Sequence, residues 1–288
     1  MKIGSEAHKT LFCQSFMDSH KPYEPETLPW PELDEATIAR LRKIPFWDEA
    51  LYTEQKAGVM LQTYADMVED PQIRAAIALQ AQEEARHGRV IAHMIQRYGF
   101  EIPERPAPKM PADMEAGFVK FGYGECFDSF FAFGLFGIAR QTDYIPESLF
   151  TIFDTLIDEE ARHMVFFVNW IAHKQVTEGK GALRPANSLW QYTGALQRRL
   201  GSLRGMGQSK GKKPTSKKGF TAAGAKAVNA NISLDLFLAT CLSENEKRMS
   251  GYPAELLRPE FLPTMAGVAL NTVRLLPKKK AQPLADAA

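Results

Sequence analysis

The segment Glu83-Glu84-Ala85-Arg86-His87 recurs letter for letter as Glu159-Glu160-Ala161-Arg162-His163. Each copy contains Glu-x-x-His, and helical residues three apart share a face, so one carboxylate and one imidazole can bind the same metal ion. Two such pairs, 76 residues apart, can hold two ions from two helices. A dinuclear site of this type wants one more glutamate from each of two further helices. Glu54 and Glu125 stand 30 and 35 residues ahead of Glu84 and Glu160. The expected ligands are therefore Glu54, Glu84, His87, Glu125, Glu160 and His163. Carboxylates and imidazoles in these numbers suit two iron ions, with manganese able to replace one, and leave coordination positions open for dioxygen.

Four long helices must position these groups. Periodicity and end signals predict helices over 46–68, from Pro71 to about Tyr98 with Gly99 as the stop, from Asp113 to about Arg140, and from Pro146 to near Lys174. From Glu54 up to the turn near Glu69 and from Asp70 down to Glu84 the legs are roughly 21 to 23 Å at helical rise, so these glutamates sit level. The corresponding legs for Glu125 and Glu160, about 26 and 21 Å, differ by about one turn. The Pro-rich stretch 100–111 is a long connection, able to cross the bundle as extended chain at about 3.1 Å per residue. The expected class is all-α: a four-helix bundle with one long crossover over 46–174, an N-terminal arm over 1–45, and a helical extension over 175–288. That arm is expected to be extended, apart from a short helix over 34–43. In the extension, helices are expected over 188–203 and 233–249, on either side of a flexible basic loop at about 205–219.

Other residues gather around the ligands. Glu83 and Glu159 are read either as outer partners, each hydrogen-bonding the histidine of the opposite copy, or as solvent-facing charge. Arg86 and Arg162 read as surface salt-bridge partners. Asp128, three residues after Glu125, is an extra ligand, a hydrogen-bond partner or a surface residue. Phe130, Phe133 and Gly134 could line an apolar substrate cavity or simply pack in the core. His8, His20, His93 and His173 fall off the repeated face and are read as non-ligands. No catalytic group is expected beyond the metal ligands.

Composition narrows the class. With 288 residues and 45% hydrophobic content the chain can fill one substantial core. Its longest apolar run, 130–139, is about half the roughly 20 residues that span a bilayer, and the charged N-terminus is unlike a secretory signal, so a cytoplasmic protein with no membrane span is expected. Cys13, Cys126 and Cys241 form no CxxC pair and are expected to be reduced. The net charge is +1, yet between Glu178 and Asp235 there are eleven Lys and Arg and no acid. Lys210, Lys212, Lys213, Lys217, Lys218 and Lys226 could dock an anionic carrier or substrate, or be a solvated loop. With Phe220 as the loop's one aromatic, no nucleic-acid module is expected.

Together, Glu54, Glu84-x-x-His87, Glu125 and Glu160-x-x-His163 resemble the ferritin-like di-iron carboxylate proteins, such as rubrerythrin, the soluble acyl carrier protein desaturases and the ribonucleotide reductase small subunit. The run Glu84-Ala85-Arg86-His87-Gly88 is most similar to the desaturases. The resemblance covers about 46–174. It implies that Glu84 and Glu160 bridge two irons, while Glu54 with His87 and Glu125 with His163 each hold one. The expected function is a non-haem di-iron oxidase or oxygenase that uses dioxygen to hydroxylate, desaturate or N-oxygenate a small organic or carrier-bound substrate. The electron donor is not legible, and a homodimer is open to it. The alternatives are an iron-handling or peroxide-reducing protein, and a non-enzymatic helical scaffold.

Overall fold

The computed structural model describes residues 1–44, 47–207 and 233–275. Among them the chain is all-helical, with nine α-helices, two short 3-10 turns and no strand. In order these are α1 (Glu6–Asp18), α2 (Glu35–Arg42), α3 (Trp47–Met67), α4 (Pro71–Arg97), α5 (Met114–Gln141), α6 (Glu147–Thr177), α7 (Arg184–Gly207), α8 (Leu234–Met249) and α9 (Phe261–Leu275). None of these helices is long and apolar enough to cross a membrane.

Local chemistry sets the ends. The carboxylates of Asp34, Asp70 and Asp113 accept from the free N–H groups of the first turns of α2, α4 and α5, and Pro71 opens α4 where no amide proton is needed. Gly99, at φ +62°, takes the left-handed turn that ends α4, with the Phe100 amide returning to the Ile95 carbonyl.

The four long helices α3 to α6 pack side by side. Gly58 of α3 abuts Ala85, and Gly88 of α4 abuts Glu54, so α3 and α4 are antiparallel. Tyr64 lies against Phe118, while Glu54, earlier on α3, is level with Glu125, later on α5, which makes α5 antiparallel to α3 and hence parallel to α4. The connection over 98–113 therefore runs the length of the helices, and Arg105 pins it to Asp48 and Glu49 of α3 at 3.0 and 2.7 Å. Buried apolar side chains form two clusters. On α4 the first ends at Ala81 and the second begins at Val90. The turn between them carries Glu83, Glu84, Arg86 and His87, so the polar residues lie between two dry regions.

Three expectations need correction. Much of the arm over 1–45 is not extended: Ser5 caps α1, whose Phe12, Cys13 and Phe16 are buried against the long helices. Its apolar residues were too few and its surroundings too Pro-rich to signal a docked helix. The extension holds a third helix, α9, and residues 205–207 of the expected loop continue α7. Lys210, Lys212, Lys213, Lys217, Lys218 and Lys226 lie outside the described residues. The three cysteines are free and buried.

Candidate metal centre

The six expected ligands come together from four helices. Ligand atoms of Glu54, Glu84, His87 and Glu160 lie within 4.8 Å of one another, and so do those of Glu84, Glu125, Glu160 and His163. Glu84 and Glu160 belong to both groups. His87 Nδ1 is 3.2 Å from Glu160 and 3.8 Å from Glu54, while His163 Nδ1 is 3.1 Å from Glu84 and 3.7 Å from Glu125. The one-turn offset of Glu125 is absorbed by register: Ser129 on α5 faces Glu160, which leaves Glu125 level with His163.

Behind each imidazole stands the glutamate of the opposite repeat. Glu159 Oε2 is 2.8 Å from His87 Nε2, and Glu83 Oε2 is 2.9 Å from His163 Nε2. An ionised carboxylate there accepts a hydrogen bond from Nε2–H, and in the neutral ring this leaves the Nδ1 lone pair facing the cluster. Both Nδ1 atoms are buried without a hydrogen-bond partner, as suits atoms meant for a cation. Arg86 and Arg162 are not surface residues. They are 6% and 7% exposed, and each reaches across to the other repeat, Arg86 to Glu159 at 2.6 Å and Arg162 to both oxygens of Glu83 at 2.5 and 2.7 Å.

The charges do not balance among protein groups alone. Six carboxylates, Glu54, Glu83, Glu84, Glu125, Glu159 and Glu160, face two guanidiniums, an excess of four negative charges. Protons relieve it. Burial raises Glu54 to about 8, against the pull of His87, and raises Glu125 well above its ordinary value. Burial disfavours imidazolium, yet the carboxylates of Glu159, Glu160 and Glu54 around the ring hold His87 well above its usual range. The Glu84 charge and the carboxylates of Glu125 and Glu83 do the same for His163. Glu83 and Glu159 run the other way: burial works against their charge, but hydrogen bonds to the histidines and the nearby guanidiniums keep both carboxyls below the usual range. Burial also works against the Glu84 charge, but the two histidines hold its carboxyl down to about 2, so among the inner carboxylates it is Glu54 and Glu125 that lack cations, while the outer two have guanidiniums.

The Glu54 and Glu160 side chains keep 21% and 19% exposure, against 9% for Glu125 and 2% for Glu84, so these two ligands lie nearest the surface.

Other expected residues lie elsewhere. Asp128 is no ligand: Arg199 from α7 pairs with both its oxygens. Phe130 and Phe133 are fully buried, and a Cβ on Gly134 would collide with Cys241, so α8 fills the room this glycine leaves. Four partners were missed by sequence reasoning. Gln80 donates to Glu84 and Glu125 at 3.4 and 3.3 Å, Ser129 donates to Glu160 at 3.3 Å, His20 meets Glu83 at 2.5 Å, and Tyr23 donates to Glu159 at 3.0 Å. Gln80 and Ser129 carry a signal, each lying one turn from a ligand on its own helix. His20 and Tyr23, in a Pro-rich segment 60 residues or more from their partners, carry none. Compared with protein-family models, with curated proteins and with solved structures, the chain matches none.

Proposed function

We propose that this chain is a ferritin-like di-iron carboxylate oxidase or oxygenase, with a pair of iron ions held between α3, α4, α5 and α6. One observation carries the reading: two four-residue ligand groups share Glu84 and Glu160, and each holds a buried imidazole Nδ1 that no protein group satisfies. The uncompensated charge, four negative units, is what two divalent cations neutralise. Glu84 and Glu160 would bridge, Glu54 and His87 would complete one position, and Glu125 and His163 the other. When bound, an iron pair supplies two-electron reduction of dioxygen. The protein's part is to fix the ligands: Glu83 and Glu159 hold the Nε2 protons so that both imidazoles present Nδ1, and Gln80 and Ser129 steer the carboxylates of Glu84, Glu125 and Glu160. The partly exposed flank at Glu54 and Glu160 admits dioxygen and the edge of a small organic substrate to be hydroxylated, desaturated or N-oxygenated.

The test is anaerobic loading with Fe(II), elemental analysis, and then oxygen uptake. Two irons per chain and uptake that disappears in Glu84→Gln support the reading; a chain that binds no iron overturns it and leaves a helical scaffold. A second reading, Fe(II) oxidation or peroxide reduction without an organic substrate, is favoured by the closed packing of Phe130, Phe133 and Gly134. Sustained turnover on Fe(II) or peroxide alone would select it.

A further inference from the structure

We propose that residues 16–23 form a positioning clamp that orients the two histidines from outside the helix cluster and makes the two metal positions unequal. The inference rests on the metal-binding reading above. Glu83 and Glu159 lie on the flank of α4 and α6 that points away from the ligand groups, yet they are 0% and 3% exposed. The N-terminal segment helps exclude water there. The Ser19 carbonyl accepts from Arg162 at 3.1 Å, and the Phe16 ring lies 4.9 Å beneath that guanidinium. The Tyr23 ring lies 4.0 Å beneath Arg86. His20 holds Glu83 and the Tyr23 hydroxyl holds Glu159, so each carboxylate that orients a histidine is itself held by one residue of the segment.

Both ends of the clamp are anchored. Before it, α1 is tied down by His8 to Asn169 at 3.0 Å, by Lys9 to Asp70 at 2.5 Å, and by buried Phe12 and Cys13. After it, Trp30 stacks on His93 at 5.1 Å and its indole N–H returns to the Pro25 carbonyl. His20, Glu83 and Glu159 also have the spacing of a third cation site. Their charge argues against that use, since Arg86 and Arg162 already neutralise the two carboxylates.

The halves of the clamp differ. Glu83 takes Arg162 on both oxygens, His163 on Oε2 and a second imidazole, His20, on Oε1. Glu159 takes Arg86 on Oε1, while its Oε2 is shared between His87 and the Tyr23 phenol. The His87 position therefore depends on a neutral hydroxyl and the His163 position on an imidazole. Neither residue is a metal ligand, and each acts through a glutamate.

The experiment is Co(II) titration of the metal-free chain, followed by visible absorption, in wild type, Tyr23→Phe, His20→Ala and His20→Gln. Each is also made with His163→Ala or His87→Ala, so that one position remains. Tyr23→Phe should weaken the His87 position by about three- to tenfold, less than the roughly 10- to 100-fold for losing an outer carboxylate, and leave the His163 position unchanged. His20→Ala should do the reverse, and His20→Gln, which keeps a donor, should recover most of the loss. Equal weakening of both positions by either variant, or no weakening by both, overturns the clamp while leaving metal binding intact. A wild-type chain that takes up no Co(II) overturns the metal reading and the clamp with it.

Discussion

Replacing Glu83 by Ala tests the outer layer most severely. The carboxylate is 0% exposed and neutralises Arg162, which is itself 7% exposed. Its removal leaves a buried guanidinium whose one remaining hydrogen-bond partner among the described residues is the Ser19 carbonyl, and breaking a buried pair from one side costs about 3–5 kcal/mol. Against a total stability of about 5–15 kcal/mol, that is a large fraction. At about 2–4 °C per kcal/mol for a chain of this size class, the metal-free protein should melt about 6–20 °C lower. His163 also loses the acceptor for its Nε2 proton, and metal affinity should fall about 10- to 100-fold. The double variant Glu83→Ala with Arg162→Ala separates the two effects. It removes both charges, so it should regain most of the melting temperature, but His163 still lacks its acceptor, so affinity should stay low. Thermal unfolding in chelator and competition for metal against a chelator measure the two quantities. Recovery of affinity along with stability would refute the orienting role, and a single variant within about 1 kcal/mol of wild type would refute the closed ion pair.

Elemental analysis of His87→Ala and His163→Ala should each show the loss of at least one of the two metal ions; full content in both would remove them from the ligand set. Because burial raises Glu54 to about 8, its carboxyl carries a proton below that pH which a metal ion must displace. Affinity should then rise from pH 6 through 8, with the raised Glu125, His87 and His163 adding to the proton release seen by calorimetry in two buffers; a flat profile would contradict the shifts. Gly134→Ala should cost about 1–3 kcal/mol by overpacking against Cys241, with unchanged metal content, whereas a tolerated alanine would indicate free space there. Asp128→Asn should leave metal content unchanged and cost under about 1 kcal/mol, since its pair with Arg199 is partly exposed; loss of a metal would return Asp128 to the ligands.

Helix positions and the residues that share a face follow from local rules, and these were legible. Asp34, Asp70, Asp113 and Ser233 cap where a short acceptor can reach free amides, and Gly99 stops α4 because its φ is costly for any other residue. The repeat of Glu-x-x-His, with Glu54 level with Glu84, brought the six side chains within about one turn of each other because helical rise and the i, i+3 relation depend only on sequence distance; the remaining turn at Glu125 was closed by how α5 packs on α6. Partners brought from afar had no such rule. Whether Arg86 and Arg162 meet water or a buried carboxylate depends on how α4 and α6 face each other, and Asp128 finds Arg199 only because α7 folds back onto α5. Gly134 was open space or contact according to where α8 lands, and α8 begins a hundred residues later. The N-terminal segment is the clearest case. Its few apolar residues and many prolines describe an arm when read along the chain. Only packing against α4 and α6 turns His20 and Tyr23 into neighbours of Glu83 and Glu159, because burying a charge depends on what surrounds it in three dimensions, and helical periodicity does not report that.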